Sequence, residues 1–550
     1  MASSSTPALR RSYDELPIEL KREVCTYLPN SDLKTVRLLN DEWNHVASSP
    51  LFRVFTTNLV ETKQRKLNTL LVSPARGGFV NSVKELNIRH QTVKTITQDV
   101  DSKLLRLLRV LPNDRLKKFS TNANVEESVI SSLLQNQTQL RRLFLAYEFY
   151  REPPDSLPSI DLVQGSLQAL ESMTIFANGK HEDAYATWLP ELAALRILKI
   201  EASQRSRRRT HNFTSWASPT VSSSLKLRTL TLENVRLPAE LLHIVNAVHL
   251  PSLKNLFLFG CTNTEPLLDL MAQQLQASNS DTDTKPSKSK TFRYECLVKP
   301  SEDRLHHVQR FLSSITGLQA VLVDAVGSTP LAISSLESHS ASLERLMLSF
   351  PTSRRSATDN LYTVRDLTQL VDTCPNLRIL GISLANIDFE DWLPFTPVGV
   401  SLSPSNGPLG SIATTPEGLQ IAQALVPLSR VSHLRTLVLT QVPYEQFQSD
   451  PAARIHRHTS LATEIFTFLA AHNSPVSYIV FHPVGYYETT PLSSPSSSIV
   501  TDASWPNFCY RRGKVVSDSA GPAFEGVVAI PMSREEFAEV ELCHRLVMRF

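Results

Sequence analysis

Between Ser12 and Phe52 the apolar residues fall at helical spacings, and beyond them the period changes to that of short strands. Leu20, Val24 and Leu28 recur at steps of four, one apolar stripe on a first helix that starts at Pro17. A proline costs nothing there, because first-turn N–H groups have no intrahelical partner. Pro29-Asn30-Ser31 breaks the pattern before Asp32, and a second helix carries Leu33, Val36 and Leu39. Asn40 and Asp41 stand where caps belong for a third helix, which bears Trp43, Val46 and Ala47 and is expected to end before Ser48-Ser49-Pro50, with Leu51 and Phe52 following. A unit this small sits near the limit of independent folding. Leu16, Pro17, Ile18, Leu38, Leu51 and Phe52 exceed what its core can hold, so part of this set is expected to face a partner. A helical cap packed on the rest of the chain is the alternative.

After the helices one phrase recurs: Val83-Lys-Glu-Leu-Asn-Ile88, Leu140-Arg-Arg-Leu-Phe-Leu145, Leu195 to Ile200, Leu227 to Leu232, Leu253 to Leu258, Leu318 to Val323, Leu343 to Leu348, Leu377 to Ile382, Leu434 to Leu439 and Val476 to Phe481. Weaker copies at Leu116, Leu170 and Phe292 bring the count to about thirteen. The last two apolar positions alternate as in a strand and point inward, while the first enters the same core from the preceding turn. Helical patterns such as Val129-Ile130-x-x-Leu133-Leu134, Leu241-Leu242-x-x-Val245 and Leu367-x-x-Leu370-Val371 lie between copies and would cover one side of the strand layer. The fold class read from this is mixed α/β: three helices, then a strand-and-helix solenoid with loop insertions. The clean intervals, such as 116 to 140 and 318 to 343, are about 24 to 26 residues.

Two resemblances follow. Leu16-Pro17-x-Glu19-Leu20, Val24, Tyr27-Leu28-Pro29, Asp32-Leu33, Val36-Arg37-Leu38-Leu39, Trp43 and Pro50-Leu51-Phe52 resemble an F-box in order and spacing. The chain departs from the common pattern before the Trp, where Leu39-Asn40-Asp41-Glu42 places an acidic pair that bears on adaptor contact. The L-x-x-L-x-L body resembles leucine-rich repeats, although the Asn or Cys that usually follows the strand is mostly absent. Together they resemble the substrate-receptor subunits of Skp–cullin–F-box ubiquitin ligases. The resemblance implies a non-catalytic chain whose F-box docks on a Skp-type adaptor, and through it a cullin–RING module, while the repeats hold a target protein. It assigns adaptor binding, or support of the F-box, to Leu16, Pro17, Ile18, Leu20, Val24, Leu28, Leu33, Leu38, Trp43, Leu51 and Phe52. Two other readings are an F-box scaffold that never engages a cullin and a nucleic-acid or transport adaptor.

The expected organisation is a flexible N-terminus over 1–11, an F-box over 12–57 and a solenoid over 58–482, with insertions near 201–224, 276–290 and 394–416. A linker over 483–504 and a C-terminal cap over 505–550 complete it, with strands at 508–516 and 526–530 and a capping box at Ser533 to Glu536. The insertions are polar or rich in Pro, Gly and Ser and are expected to be mobile loops.

Composition narrows the function. With 550 residues, 41% of them apolar, and a formal charge of +3, the chain reads as folded and lacks the footprint of a general nucleic-acid binder. The N-terminus lacks a signal-peptide core, and no apolar run reaches membrane-spanning length, so no membrane association is expected. Cys25, Cys261, Cys296, Cys374, Cys509 and Cys543 form no close pair, which points to a reducing compartment, cytoplasm or nucleus or both. No H-E-x-x-H, phosphate-loop, G-x-S-x-G or G-x-G-x-x-G pattern is present, and no metal or cofactor is expected. His306-His307 reads as a solvated pair and Gly77-Gly78 as a turn.

Target binding has two sources in the sequence. Arg205, Arg207, Arg208 and Arg209 lie in a Ser-rich insertion and suit a phosphate or acidic peptide, with a solvated loop as the plain alternative. Ser-Pro and Thr-Pro pairs such as Ser218-Pro219 and Thr415-Pro416 also fall in expected loops. The positions expected to face out on the concave side of the sheet are Phe144, Phe176, Phe257, Phe259, Leu322, Met347, Val438 and Val480, an apolar set strongest at Phe257 and Phe259. A register shift, or a segment covering the face, is the alternative.

Overall fold

The computed structural model describes residues 16–58, 80–89, 98–121, 125–145, 158–177, 188–202, 225–237, 248–280, 290–296, 304–325, 330–350, 362–383, 416–443, 451–484, 509–516, 525–533, 536, 537 and 539. The chain packs as two compact units, Met1–Leu227 with Asn246–Val248 and Arg228–Val245 with His249–Phe550.

The first unit opens with helices α1 (Ile18–Tyr27), α2 (Asn30–Val36) and α3 (Asp41–Leu51). Asn40 caps α3 by accepting the Trp43 N–H at 2.9 Å. Contrary to expectation, α3 runs through Ser48-Ser49-Pro50. The proline sits in the last turn, where its missing N–H removes one bond, and the ladder resumes with Phe52 N–H donating to Ser48 O at 3.0 Å. A parallel open sheet follows: β1 (Val54–Asn58), β2 (Glu85–Arg89), β3 (Lys118–Thr121), β4 (Arg142–Leu145), β5 (Ser172–Ala177) and β6 (Ile197–Ala202), each paired with the next. Helices α4 (Gln98–Val110), α5 (Glu127–Asn136) and α6 (Ile160–Ala169) connect successive strands from β2 to β5. β1 has no L-x-x-L-x-L phrase and lies within the stretch expected to be F-box; its pairing with β2 makes it the first rung of the sheet.

The second unit continues the same scheme. Strands β7 (Thr229–Glu233), β8 (Asn255–Phe259), β9 (Thr291–Cys296), β10 (Ala320–Ala325), β11 (Arg345–Ser349), β12 (Ile379–Ile382), β13 (Thr436–Pro443) and β14 (Tyr478–Val484) pair in parallel and in chain order. Helices α7 (Glu265–Ser280), α8 (Arg304–Ser314), α9 (Val364–Thr373), α10 (Pro416–Ser429) and α11 (Pro451–Ala471) form the other layer. α7 extends five residues into the stretch expected to be an insertion from Gln276. Residues 281–289 of that insertion, together with 203–224 and 394–415, lie outside the described residues.

Every repeat phrase from Val83 to Phe481 coincides with a strand, β2 through β14. The parallel register, irregular between Thr440 and Val442 on β13, stacks equivalent residues into buried rows. One row runs Leu86, Phe119, Leu143, Met173 and Leu198 in the first unit; another runs Leu256, Phe292, Val321, Leu346, Leu380, Leu437 and Ile479 in the second. Between the first apolar residue and the strand, one carbonyl accepts two N–H groups from the next rung. Lys84 O takes Lys117 N at 2.7 Å and Lys118 N at 3.1 Å, and Glu344 O takes Arg378 N at 2.7 Å and Ile379 N at 3.1 Å.

Buried polar side chains, Gln137 and His339 among them, tie rungs together in place of a regular Asn row. Gln137 Oε1 accepts the Leu116 N–H at 2.9 Å, and its Nε2 donates to Pro112 O at 3.0 Å. His339 does the same in the second unit, with Leu318 N–H 3.4 Å from Nδ1 and Nε2 3.1 Å from Leu312 O. Burial holds the His339 pKa down to about 4, so the ring is the neutral tautomer that donates through Nε2.

At the far end of the second unit, β15 (Cys509–Val516) pairs antiparallel with both β14 and β16 (Glu525–Met532). Tyr510 meets the inward Phe481 edge to face at 5.7 Å, so the hairpin covers the interior of the last parallel rung. Ser533 and Glu536 make the reciprocal capping bonds, Ser533 N–H to Glu536 Oε2 at 2.7 Å and Glu536 N–H to Ser533 Oγ at 3.2 Å.

Candidate functional site

The three helices enclose Cys25, Leu33, Trp43, Val46 and Ala47, with Ile18, Leu28, Val36 and Leu51 packed at the margin. The inward face of α1 is therefore Ile18, Lys21, Cys25 and Leu28. This corrects the expected stripe: of Leu20, Val24 and Leu28 only the last meets the core, and Leu20 and Val24 are 46% and 44% exposed. Lys21 can turn inward because its charge is met. Its Nζ lies 2.7 Å from Glu42 Oε2 and 5.4 Å from the centre of the Trp43 ring. The acidic pair that departs from the common F-box pattern thus has an internal use for Glu42.

With α1 turned this way, Leu20, Val24 and Tyr27 line its solvent face at helical spacing, and Leu38 and Leu39 project from the turn after α2. Tyr27 and Leu38 are more than four-fifths exposed. Of the residues matched to the F-box motif, Leu33 and Trp43 are buried, Leu16, Ile18, Leu28, Leu51 and Phe52 are half-buried, and Pro17, Leu20, Val24 and Leu38 face water. The Arg37 guanidinium covers the Phe52 ring at 4.8 Å and is held by its Nε donating to Asn44 Oδ1 at 3.0 Å. These are large apolar side chains turned to water on a unit of only three short helices.

The outward positions of the strands form the second candidate surface. In the first unit they are Asn87, Ser120, Phe144, Thr174 and Lys199, all half-buried and polar apart from Phe144. The side chain of Phe176 lies outside the described residues. In the second unit Phe257 and Phe259 stack at 6.0 Å, and the Arg293 guanidinium sits 4.8 Å from the Phe259 ring. Asp324 follows in the same row; burial pushes its pKa up to about 6, against the opposing pull of Arg293 and a Ser349 hydrogen bond.

The expected exposed surface does not continue from there. Leu322 is 6% exposed, flanked in register by Arg293 and Met347, whose longer side chains stand about 4.8 Å away on neighbouring strands. Val438 and Val480 are buried with Ile379, Cys509, Met532 and Phe537, and Met347 packs against that cluster. The C-terminal segment therefore covers the outer face of the last rungs as well as their interior. Gly381 fits this cover: a Cβ there would come 2.9 Å from Met347 Cγ.

His307, expected to be solvated, donates through Nδ1 to Asp269 Oδ2 at 2.7 Å, and Arg310 donates to the other oxygen at 3.2 Å, a clip between α7 and α8. Arg205, Arg207, Arg208, Arg209, Gly77 and Gly78 lie outside the described residues. Among the described residues no group of three or more His, Cys, Asp or Glu is placed to hold a metal ion, and no helix is long and apolar enough to cross a membrane. No protein-family model matches the chain, and no curated protein matches it at a significant level.

Proposed function

We propose that this chain is the substrate-recognition subunit of a Skp–cullin–F-box ubiquitin ligase. The observation that carries the reading is the three-helix unit with Leu20, Val24, Tyr27, Leu38 and Leu39 turned to solvent, on a chain that continues as a repeating strand-and-helix array. In this reading Pro17, Leu20, Val24 and Leu38 contact a Skp-type adaptor, while Leu33 and Trp43 maintain the helices that present them. The repeats hold the target. The chain supplies no reacting group: by holding adaptor and target on one frame, it turns attack of a target lysine on the ubiquitin thioester into a nearly unimolecular event.

Capture of a purified Skp-type adaptor by the tagged full-length chain tests this. Intact chain is expected to retain the adaptor, and Val24→Asp with Leu38→Asp to lose it without loss of helicity, since both positions face water. Equal capture by both would remove the F-box assignment. Adaptor retained from a cell extract without any cullin would replace the ligase with a scaffold.

A further inference from the structure

In the first unit, the residue that precedes each strand on the turn side is a cation on five of six rungs: Arg53, Lys84, Lys117, Arg141 and Arg196, with Glu171 the exception. Their backbones are locked in a column. Arg53 O accepts Lys84 N at 2.9 Å, Lys84 O accepts Lys117 N at 2.7 Å, and Lys117 O accepts Arg141 N at 3.0 Å. The charges therefore repeat at the interstrand spacing of about 4.8 Å. The adjacent column adds Lys118 and Arg142, which face each other in register. The chain as a whole has 56 basic and 53 acidic side chains, so the excess belongs to these turn positions; it recurs in the second unit at Arg228, Lys254, Lys290, Arg378 and Arg435.

Only part of the charge is met within the protein. Lys118 pairs with Glu85 at 3.7 Å and Arg141 with Glu171 at 3.2 Å. Among the described residues no carboxylate lies within ion-pair distance of Arg53, Lys84, Lys117 or Arg142; Lys117 is half-buried and the other three are exposed. Like charges stacked in register on neighbouring strands repel one another. The sheet thus holds an arrangement that costs stability on its own and that an anionic ligand would relieve.

We propose that the column from Arg53 to Arg142 binds an extended acidic segment of a partner protein. An extended peptide laid across the rungs brings same-side carboxylates about 6.7 Å apart, within the sweep of Lys and Arg side chains, and Arg53, Arg141 and Arg142 offer the two-pronged geometry a carboxylate prefers. Single-stranded nucleic acid fits less well. Its bases need successive aromatic faces, and the neighbouring outward column reads Asn87, Ser120, Phe144, Thr174 and Lys199, with a single ring. The inference deepens the receptor reading by naming the chemistry of its target, and it is tested independently of adaptor capture.

The experiment is fluorescence anisotropy of the full-length chain with a short labelled polyglutamate peptide, beside a polylysine peptide and a single-stranded oligothymidylate. Polyglutamate is expected to bind, to weaken as salt rises, and to lose at least about tenfold in affinity in a Lys84→Glu, Lys117→Glu, Arg142→Glu variant. If that variant does not fold, the three Gln substitutions serve, with a smaller loss in the same direction. Undiminished polyglutamate binding by either variant overturns the proposal. Oligothymidylate that binds more tightly than polyglutamate through the same side chains also overturns it. Adaptor capture that persists while peptide binding fails would sink this inference alone; the reverse would sink the receptor reading alone.

Discussion

On β4 of the first unit the outward residue between two buried leucines is Phe144, half-buried between Ser120 and Thr174; on β13 of the second unit it is Val438, fully buried in one cluster with Cys509, Met532 and Phe537. The inner rows of the two strands are interchangeable in kind, Leu143 and Leu145 against Leu437 and Leu439. The same inner frame thus carries a mostly polar, half-open outer row in the first unit and a buried apolar one at the last rungs of the second. The frame and the surface are separate problems: parallel register determines the first, and whatever lies over the strands determines the second.

The largest expected effect breaks that contrast directly. Val438→Asp buries an unpaired carboxylate and is expected to destabilise its region by about 3–5 kcal/mol, whereas Thr174→Asp should change stability by no more than about 0.5 kcal/mol. Amide exchange in β12 to β14, compared with β4 to β6, reads both. Equal protection losses would show that the two outer faces are alike after all.

A second pair tests whether the frame is shared. Gln137→Leu and His339→Leu each strand the buried N–H that the side chain accepts, that of Leu116 or that of Leu318, and take a donor from Pro112 O or Leu312 O. Each is expected to cost about 2–3 kcal/mol, seen as lower urea resistance of the strands on either side. A much smaller cost at one site would mean that the two bridges are not equivalent.

The smallest effect separates them by charge, since of the two bridges His339 alone is a titratable ring. His339 has a folded pKa of about 4 against 6.5 for the free side chain, so between these values the unfolded chain binds more protons. Its stabilising contribution is complete above pH 6.5 and is lost as the pH falls through 4, the loss reaching about 2 kcal/mol by pH 5. Asp324, raised to about 6, acts in the opposite sense over part of that window, favouring the fold as it protonates. Comparing the chain with its His339→Gln variant at pH 7 and pH 5 isolates the ring, because Gln retains a donor and an acceptor. Identical pH responses of the two proteins would refute the assignment of a neutral, buried His339.

Much of the frame was legible in the chain. Each L-x-x-L-x-L phrase marks a strand because alternation with period two is a local property of extended backbone, and Asn40 ahead of Trp43 marks a helix start because capping acts within one turn. The orientation of α1 was not. Leu20-Val24-Leu28 and Ile18-Cys25-Leu28 are both helical stripes, and the choice fell to the second because Lys21 finds Glu42 and the Trp43 ring on another helix. β1 went unseen for a similar reason: Val54 to Asn58 carries no repeat phrase and becomes a strand through pairing with β2.

The candidate surfaces divide in the same way. Which residues alternate outward from the strands follows from the sequence alone, and so does the count of cations ahead of them. That Phe257 and Phe259 stay half-open while Leu322, Val438 and Val480 do not was decided by tertiary structure. Val438 and Val480 are buried with Cys509 and Met532, which extend their row onto β15 and β16, and with Phe537, all distant in the chain, and no local pattern at the strand records what a remote segment will bury. Local periodicity writes the rung into the sequence, because each rung needs only its own backbone geometry and an apolar side to bury. Exposure of the outer face is a property of the packed molecule, because it depends on contacts that exist only after distant parts of the chain have met.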